Sequence, residues 1–398
     1  MVRRLLRKVN SKAPKRSALT LYAAILLLIF HTFLVAYINS SYLEQFIDSA
    51  SVGTIYTIGS ALTILIFLFV SRVLHRVGNY KATLLLLCLN FIAVGGMAFA
   101  ESLRTAIPLF LVHLTVLPLI IFNLDIFLEE EIGSQEGTTG SKRGLLLGLS
   151  SFIGAITPLF TGYLVGDDAN FANAYYLSAL TVIPVIAIIF FAFKNFKEPS
   201  YKEIQILTAI RSFWIKKDIR FVFSAHFLLQ AFFFFMVVYT PLYLATEIEL
   251  SWKSIGLILF GGQLAYVFFE YPIGRLADLY WGEKEMMAVG FLVLAVSTAA
   301  LAFITTEGIW PWIFVTFITR IGASLAEVTT ETYFFKHTKG SDAQVISFFR
   351  ITRPLAYVIG ALIGSLTLLY LPFNLIFVVI GLLMLPGVIF ALNLVDTK

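Results

Sequence analysis

The stretch GRLADLYWGEK, residues 274–284, joins two long apolar segments, and a stretch of equal length, SRVLHRVGNYK, lies 203 residues earlier at 71–81. Both stretches have arginine in second place, glycine near the end and lysine as the last residue. Short basic connections that contain glycine are typical of turns between membrane helices on the cytoplasmic side. The fixed offset predicts that the chain contains the same arrangement of helices twice.

The composition excludes an ordinary soluble protein. Hydrophobic residues make up 59% of the 398 residues, charged residues make up only 13%, and the mean hydropathy is +0.88. Soluble domains carry about 25% charged residues. The single cysteine, Cys88, lies in an apolar run, so we expect neither an intrachain disulfide nor a thiolate metal site.

Twelve apolar runs are long enough to cross the bilayer, for which a helix needs about 20 residues. We predict spans at 18–40, 51–71, 82–100, 104–128, 143–165, 172–194, 219–244, 252–274, 285–305, 310–335, 344–370 and 372–394. The pattern predicts an all-α integral membrane protein without a separate soluble domain.

The distribution of basic residues predicts the orientation. With a cytoplasmic N-terminus, 24 of the 29 lysines and arginines fall in cytoplasmic segments and two, Arg104 and Lys253, fall in outside loops. Basic residues mark the cytoplasmic side. We therefore expect a plasma-membrane protein with both termini and the 194–220 connection in the cytoplasm. The net charge of +5 then reflects the basic flanks of helices that cross the lipid bilayer, and we expect no nucleic-acid partner.

Matching residues at similar offsets support the duplication. Gly53 and Gly256 are 203 residues apart, and Asp125 and Glu327 are 202 apart. Copies in the same orientation predict two six-helix bundles related by a parallel pseudo-repeat, which is typical of one large class of transporters. The predicted divisions are a basic N-terminus (1–17), a first bundle (18–194), a central loop (195–218), a second bundle (219–394) and a tail (395–398).

The 274–284 stretch resembles the loop G-x-L-A-D-R-x-G-R-R that follows the second helix of each half in the major facilitator superfamily. Leu279 replaces the basic residue after the aspartate, one extra residue precedes the glycine, and the first copy has His75 in place of the aspartate. The resemblance covers the whole chain and implies the major facilitator fold with a charged cytoplasmic gate. The gate residues are then Gly274, Asp278, Gly282, Lys284, Arg76, Gly78 and Arg143, with Glu270 one turn earlier. An ordinary solvated turn is the alternative.

The tenth span carries the densest set of ionisable residues at membrane depth. Arg320, Ser324, Glu327 and Glu331 follow one another at intervals of 4, 3 and 4 residues, which places them on one helical face. Charges inside a span are costly and by default mark a functional site. We expect Glu327 to exchange a proton during transport. A structural ion-pair network between the tenth and eleventh spans is the alternative.

Other spans supply further candidates for a polar cavity. They are Asp125, Arg350, Arg353, His31, His226 and Gln230. A lone histidine in a membrane helix is as often a packing residue, so a structural role is the alternative for His31 and His226. The sequence shows no metal-ligand spacing, phosphate loop or nucleophile elbow, and we expect no cofactor.

These features predict a secondary transporter that moves a small solute by alternating access, uses protons and acts as a monomer. The 39 phenylalanines and 17 tyrosines favour efflux of amphipathic compounds. Uptake of a polar or anionic solute is an alternative, because Arg320 can bind a carboxylate or phosphate. A multispan enzyme acting on a lipid-linked substrate is another, for which Glu129-Glu130-Glu131 is the acidic candidate.

Overall fold

The computed structural model describes residues 16–132, 139–199, 201, 217–277, 281–337 and 343–395. Within these ranges the regular structure is helical, as expected for an all-α protein. The helices are α1 (Arg16–Ala36), α2 (Asn39–Glu44), α3 (Ser49–Val77), α4 (Asn79–Met97), α5 (Leu103–Ile132), α6 (Thr139–Val165), α7 (Phe171–Ala192), α8 (Lys217–Thr246), α9 (Trp252–Leu276), α10 (Glu283–Leu301), α11 (Ile309–His337), α12 (Ala343–Tyr370) and α13 (Leu375–Leu392).

Every described helix except the short α2 is long and apolar enough to cross a membrane, which confirms the predicted twelve spans. An even number of spans puts both chain ends on one side, here called the terminus side; the other is the opposite side. The first predicted span, 18–40, is interrupted, because α1 ends at Ala36 and α2 begins at Asn39. The second span continues to Val77 instead of ending near 71, and Gly78, with φ of 83°, terminates it.

The two halves have the same internal packing. In the first half α4 packs against α5 and α7, α3 packs against α5, and α1 packs against α5, α6 and α7. In the second half α10 packs against α11 and α13, α9 packs against α11, and α8 packs against α11, α12 and α13. Each of these contacts in the first half therefore has its counterpart in the second, as expected for a duplicated six-helix unit.

The duplication extends to the helix caps. The side chain of Asp48 accepts the backbone N–H of Ser51 and caps α3, and the side chain of Ser251 accepts the backbone N–H of Ser254 and caps α9. The two capping residues are 203 positions apart, the same offset as the paired glycines. Side-chain acceptors at this position satisfy N–H groups that have no partner within the helix.

The halves meet mainly through two helix pairs, α3 with α12 and α6 with α9. A Cβ atom on Gly256 would lie 2.5 Å from the carbonyl oxygen of Pro158 and 3.3 Å from the Cα atom of Gly162. In the other pair, a Cβ atom on Gly53 would lie 2.6 Å from the carbonyl oxygen of Ala361. Small residues let helix backbones approach closely, which is how helices associate in lipid.

Further contacts close the opposite side. The rings of Phe171 and Trp252 meet edge to face with centroids 5.3 Å apart, and Lys253 forms an ion pair with Asp167 at 2.8 Å. Each contact joins the first half to the second. One apolar core accordingly includes buried residues from both halves.

Towards the terminus side, the described contact between the halves is polar. The hydroxyl of Ser151 in α6 donates to Oε2 of Glu270 in α9 at 3.3 Å. Three smaller clusters of buried apolar residues each lie within one half, two in the first half and one in the second. The described part of the chain is therefore packed more tightly on the opposite side than on the terminus side.

The glycine crossing gives a test of closure. Gly256→Val should oppose contact of α6 with α9, because overpacking costs about 1–3 kcal/mol and each 1.4 kcal/mol changes a population ratio about tenfold. Spin labels at Asp168 and Glu247, exposed on the opposite side of each half, report the separation in a Cys88→Ser background. We expect longer distances in Gly256→Val by pulsed EPR.

The matched control is Gly148→Val in the same helix pair, because a Cβ atom at Gly148 meets no atom within 4 Å. Its distance distribution should match that of the parent protein. Equal distributions for both valine variants would show that the crossing does not limit closure.

Candidate functional site

The predicted polar and charged residues of helix α11 lie in a row on one face, here called the α11 ladder, that runs from the middle of the span to the terminus side. Arg320 lies about 16 Å along the axis from Ile309, and Glu327 lies about 10 Å further. Only 4% of Arg320 is exposed and Ser324 is fully buried, whereas Glu327 is half-buried and Glu331 is exposed. The helix thus leads from a buried cation to an accessible carboxylate.

Glu327 is the centre of a charged cluster formed by three helices. It interacts electrostatically with the carboxylates of Glu331 and Glu270 and with the guanidinium groups of Arg353 and Arg320. The effect of Arg353, on α12, exceeds that of Arg320 on the same helix as Glu327. The structure therefore brings together five of the residues singled out in the sequence.

Arg353 and its neighbours extend this cluster to α8. The Arg353 guanidinium lies 5.7 Å from the ring centre of Tyr357 and donates to its hydroxyl at 3.5 Å. Arg353 also acts electrostatically on His226, whose Nε2 lies 3.3 Å from Nε2 of Gln230. The predicted pair His226 and Gln230 thus belongs to the same region as Glu327.

Arg320 has aromatic neighbours that sequence reasoning did not select. Its Cζ atom lies 5.7 Å from the ring centre of Phe232 and 5.9 Å from that of Tyr266. Beside Tyr266, Nε2 of Gln263 donates to the hydroxyl of Tyr37 at 2.9 Å. Spacings of 3 and 4 residues place Gln263, Tyr266 and Glu270 on one face of α9, a pattern that the sequence already contains.

His31 lies inside the first bundle, away from the Glu327 cluster. Its Nδ1 lies 2.9 Å from the carbonyl oxygen of Ser178 and must donate to it, so Nε2 accepts from Nδ2 of Asn90 at 2.8 Å. Oδ1 of Asn90 then accepts from Nδ1 of His113 at 2.7 Å. This chain joins α1, α4, α5 and α7 with each donor facing an acceptor, which suits a structural role.

The remaining cavity candidates are less informative. Asp125 is half-buried in α5, at the position equivalent to Glu327 in the other half. The side chains of Arg350 and Arg143 lie outside the described part of the structure, as does the whole of Asp278. Among the described residues, no group of three or more His, Cys, Asp or Glu is arranged to hold a metal ion.

The two glycine turns of the repeat have the same backbone conformation. Gly78 has φ of 83° and Gly282 has φ of 76°, a region that favours glycine, and each directly precedes a helix. Glu198, from the connection after α7, accepts the backbone N–H of Asn79 at 2.8 Å and that of Tyr80 at 3.3 Å. A carboxylate here complements the positive end of α4.

The other predicted gate residues take different positions. Glu283, directly after Gly282, is fully buried and forms an ion pair with Lys336 of α11. Arg76 is exposed, Lys284 is half-buried, and a Cβ atom on Gly274 would lie 3.7 Å from Cγ1 of Val328. Of the predicted gate residues with described side chains, Glu270 contacts the other half through Ser151.

Two carboxyl groups outside the spans differ in their readiness to take up a proton. Burial raises the pKa of Glu44 at the end of α2; the Ser49 hydrogen bond opposes this effect and the Glu247 carboxylate adds to it. Hydrogen bonds from the hydroxyl and the backbone N–H of Ser51 lower the pKa of Asp48. Glu44 therefore keeps its proton to a higher pH than Asp48.

Comparison with known proteins assigns the fold of the whole chain and a family match to its second half. Residues 222–398 match the family model described as Major Facilitator Superfamily. The whole chain resembles a crystal structure of the nucleoside transporter NupG, with a TM-score of 0.74 and 13% identity over 94% of this chain and 98% of that one. The family match covers residues 222–398, and the structural likeness shows that the whole chain has the same fold. Comparison with curated proteins finds no match.

Two peptide-transporter structures share the same fold. A crystal structure of the POT family transporter PepTSo gives a TM-score of 0.78 at 11% identity, and an auto inhibited POT family peptide transporter gives 0.76 at 11% identity. Each alignment covers 96% of this chain and 98% of the other. Together with the family match of residues 222–398, the twelve candidate spans among the described residues indicate a multi-pass membrane protein with this transporter fold.

The histidine chain in the first bundle gives a stability test. Asn90→Ala removes the acceptor of His113 and the donor to His31, and each buried polar group without a partner costs about 1–3 kcal/mol. We expect a lower unfolding temperature for the purified variant, while transport at a permissive temperature persists. Asn173→Ala, an exposed asparagine in α7, should leave the unfolding temperature unchanged. If Asn90→Ala instead loses transport while its unfolding temperature is unchanged, the hydrogen-bonded histidines take part in the transport mechanism.

Proposed function

We propose that this protein is a proton-coupled secondary transporter whose coupling residue is Glu327. The observation that supports this proposal is the position of Glu327, half-buried at membrane depth between two arginines and two other carboxylates. Carboxylates and burial disfavour the charged form of such a group, and guanidinium groups favour it. Because these influences oppose one another, a small change in the surroundings can cause Glu327 to bind or release a proton.

The packing of the halves supports alternating access. The glycine crossing and the Phe171–Trp252 contact close the opposite side, which we propose faces the outside of the cell. Glu331 is exposed and lies nearer the terminus side than Glu327, so it is a natural relay between Glu327 and the cytoplasm. Rocking of one bundle against the other would open the opposite side and expose Arg320 there. One chain supplies both bundles, which fits a functional monomer.

Aromatic rings buried between the two halves favour a second candidate, efflux of amphipathic compounds. Tyr56 and Phe234 meet across the two halves with ring centroids 5.6 Å apart, and Phe234 lies 5.0 Å from Tyr357. Rings of this kind bind apolar bodies without fixing their orientation. Proton–solute exchange predicts that an outside-acid gradient expels the solute, whereas cotransport predicts that it accumulates the solute.

Glu327→Gln tests proton coupling, because the amide keeps the shape of the side chain but cannot carry a proton. In proteoliposomes with an imposed pH gradient, accumulation of substrate should fall to the level set by equilibration. Exchange of labelled for unlabelled substrate should continue. Glu285→Gln, which removes an exposed carboxylate of α10, should retain both activities. Native accumulation by the folded Glu327→Gln protein would remove Glu327 as the coupling residue.

Cysteine labelling tests the proposed location and orientation. In a Cys88→Ser background, a cysteine at exposed Lys197 should react with an impermeant reagent only after the plasma membrane is permeabilised. A cysteine at exposed Asp168 should react in intact cells, because the basic-residue asymmetry places this loop outside. The reverse labelling pattern would invert the topology.

A further inference from the structure

Beneath the closed opposite side, hydrogen-bond donors outnumber acceptors. The Arg320 guanidinium has donors only, and no carboxylate among the described residues lies within the 4.0 Å ion-pair distance of it. The carboxylate that interacts with it electrostatically is that of Glu327, about 10 Å further along α11, and the ring of Tyr266 lies 5.9 Å from its Cζ atom. A guanidinium that is 4% exposed is stabilised by a negative charge within ion-pair distance, and no described carboxylate, Glu327 included, lies that close.

The two phenols add to this excess. The Tyr37 oxygen already accepts from Nε2 of Gln263 at 2.9 Å, which leaves its own O–H proton to donate elsewhere. The Tyr266 hydroxyl is buried without a hydrogen-bond partner among the described residues, so its proton also needs an acceptor. Oε1 of Gln263, without a partner among the described residues, is the acceptor in this group.

From this geometry we propose that Arg320, Tyr37 and Tyr266 bind the carboxylate of a small organic monoanion, which is the transported solute. The proposal rests on the proposed function and names its substrate class. A carboxylate accepts two parallel bonds from the guanidinium fork and one from a phenol. Oε1 of Gln263 can accept an O–H or N–H group carried by the same molecule. Tyr37 comes from the first half and the others from the second, so the solute bridges both bundles.

The surrounding charges favour a monoanion over a dianion. Arg320 and Arg353 are the two cations of the cluster, and Glu327, Glu331 and Glu270 are its three carboxylates. A second negative charge on the solute would therefore face acidic groups towards the terminus side. The rings of Phe232 and Tyr266 at 5.7 and 5.9 Å leave an apolar lining beside the guanidinium, which suits an apolar or aromatic body.

Binding of the anion is linked to the proton on Glu327. Glu327 lies two turns from Arg320 on α11 and is among the groups that Arg320 influences. A solute carboxylate that engages Arg320 takes over part of this positive charge, so Glu327 then binds a proton from the cytoplasmic or outer solution. One negative charge and one proton move together, and the cycle is electroneutral. The predicted process is cotransport, and with an outside-acid gradient it is uptake.

The test uses purified protein in detergent and a panel of organic monocarboxylates, from benzoate to 4-hydroxyphenylacetate, each paired with its neutral amide. Some acids should raise the unfolding temperature in a saturable manner, and their amides should not. In Arg320→Gln the half-maximal concentration should rise roughly ten- to hundredfold, the loss expected for a charge-assisted hydrogen bond. Arg104→Gln, which removes an exposed arginine in the first turn of α5, is the matched control and should keep the native value.

Two further variants keep the test decisive if Arg320→Gln fails to fold. Arg320→Lys retains the charge without the fork, and Tyr266→Phe removes one donor; each should weaken binding of the acids and leave the amides unbound. Equal stabilisation by acids and amides, no response to any acid, or native binding in all folded variants would overturn the anion site.

Glu327→Gln separates the two proposals. If Glu327→Gln still binds the acids but its affinity for them no longer depends on pH, the anion site and the coupling role are both supported. If Glu327→Gln still accumulates solute while Arg320→Lys and Tyr266→Phe lose binding, the anion site stands and the coupling proposal falls. If accumulation is lost in Glu327→Gln and the protein binds amides as well as acids, the coupling proposal stands and the anion site falls.

Discussion

The contact between the two bundles depends on the close approach of helix backbones at glycine. In lipid, apolar side chains gain little by leaving the acyl chains, so association relies on shape and van der Waals contact. A side chain at Gly256 would meet the carbonyl oxygen of Pro158 at 2.5 Å, and one at Gly53 would meet that of Ala361 at 2.6 Å. Each crossing therefore requires a residue without a Cβ atom, which is glycine. The bond between Gln263 and Tyr37 joins the same two halves at 2.9 Å, so closure at the glycines and assembly of the Arg320 site involve the same bundle contact.

The duplicated halves share their packing but not their polar interior. In the first half, His31, Asn90, His113 and Ser178 form a chain in which every donor meets an acceptor. In the second half, Arg320 and its phenol neighbours, Tyr266 and the Tyr37 side chain of the first half, have more donors than acceptors. A satisfied network stabilises and rigidifies a bundle, whereas an unbalanced one costs free energy unless a ligand completes it. The difference supports a structural role for the polar residues inside the first half and a role in binding solute and proton for those of the second.

The sequence alone predicts the twelve spans because a helix in lipid must satisfy all its backbone hydrogen bonds internally, so length and hydropathy suffice. It also predicts the α11 ladder, because Arg320, Glu327 and Glu331 share one face through their spacing. The location of His31 does not follow, since its partner Ser178 is 147 residues away and a single polar residue does not define the inner face of a helix. Gln263 and Tyr266 were not predicted as site residues, because neutral polar residues are common in spans. Their spacing to Glu270 nevertheless places all three on one helical face and could have identified them. The break between α1 and α2 lies in an apolar run, where hydropathy does not change.

Coupling in the proposed cycle follows from the cost of an uncompensated charge in a closed site. While both sides are closed, water cannot solvate Arg320 or Glu327, and each isolated charge is expensive. An anion on Arg320 without a proton on Glu327 leaves one negative charge too many. A proton without the anion leaves Arg320 uncompensated. The occluded state is accessible when the anion and the proton are both bound or both absent. Solute and proton must therefore cross together, and no separate coupling element is needed. The glycine crossings supply the closure that excludes water, and this links the packing of α6 and α9 to the coupling at α11.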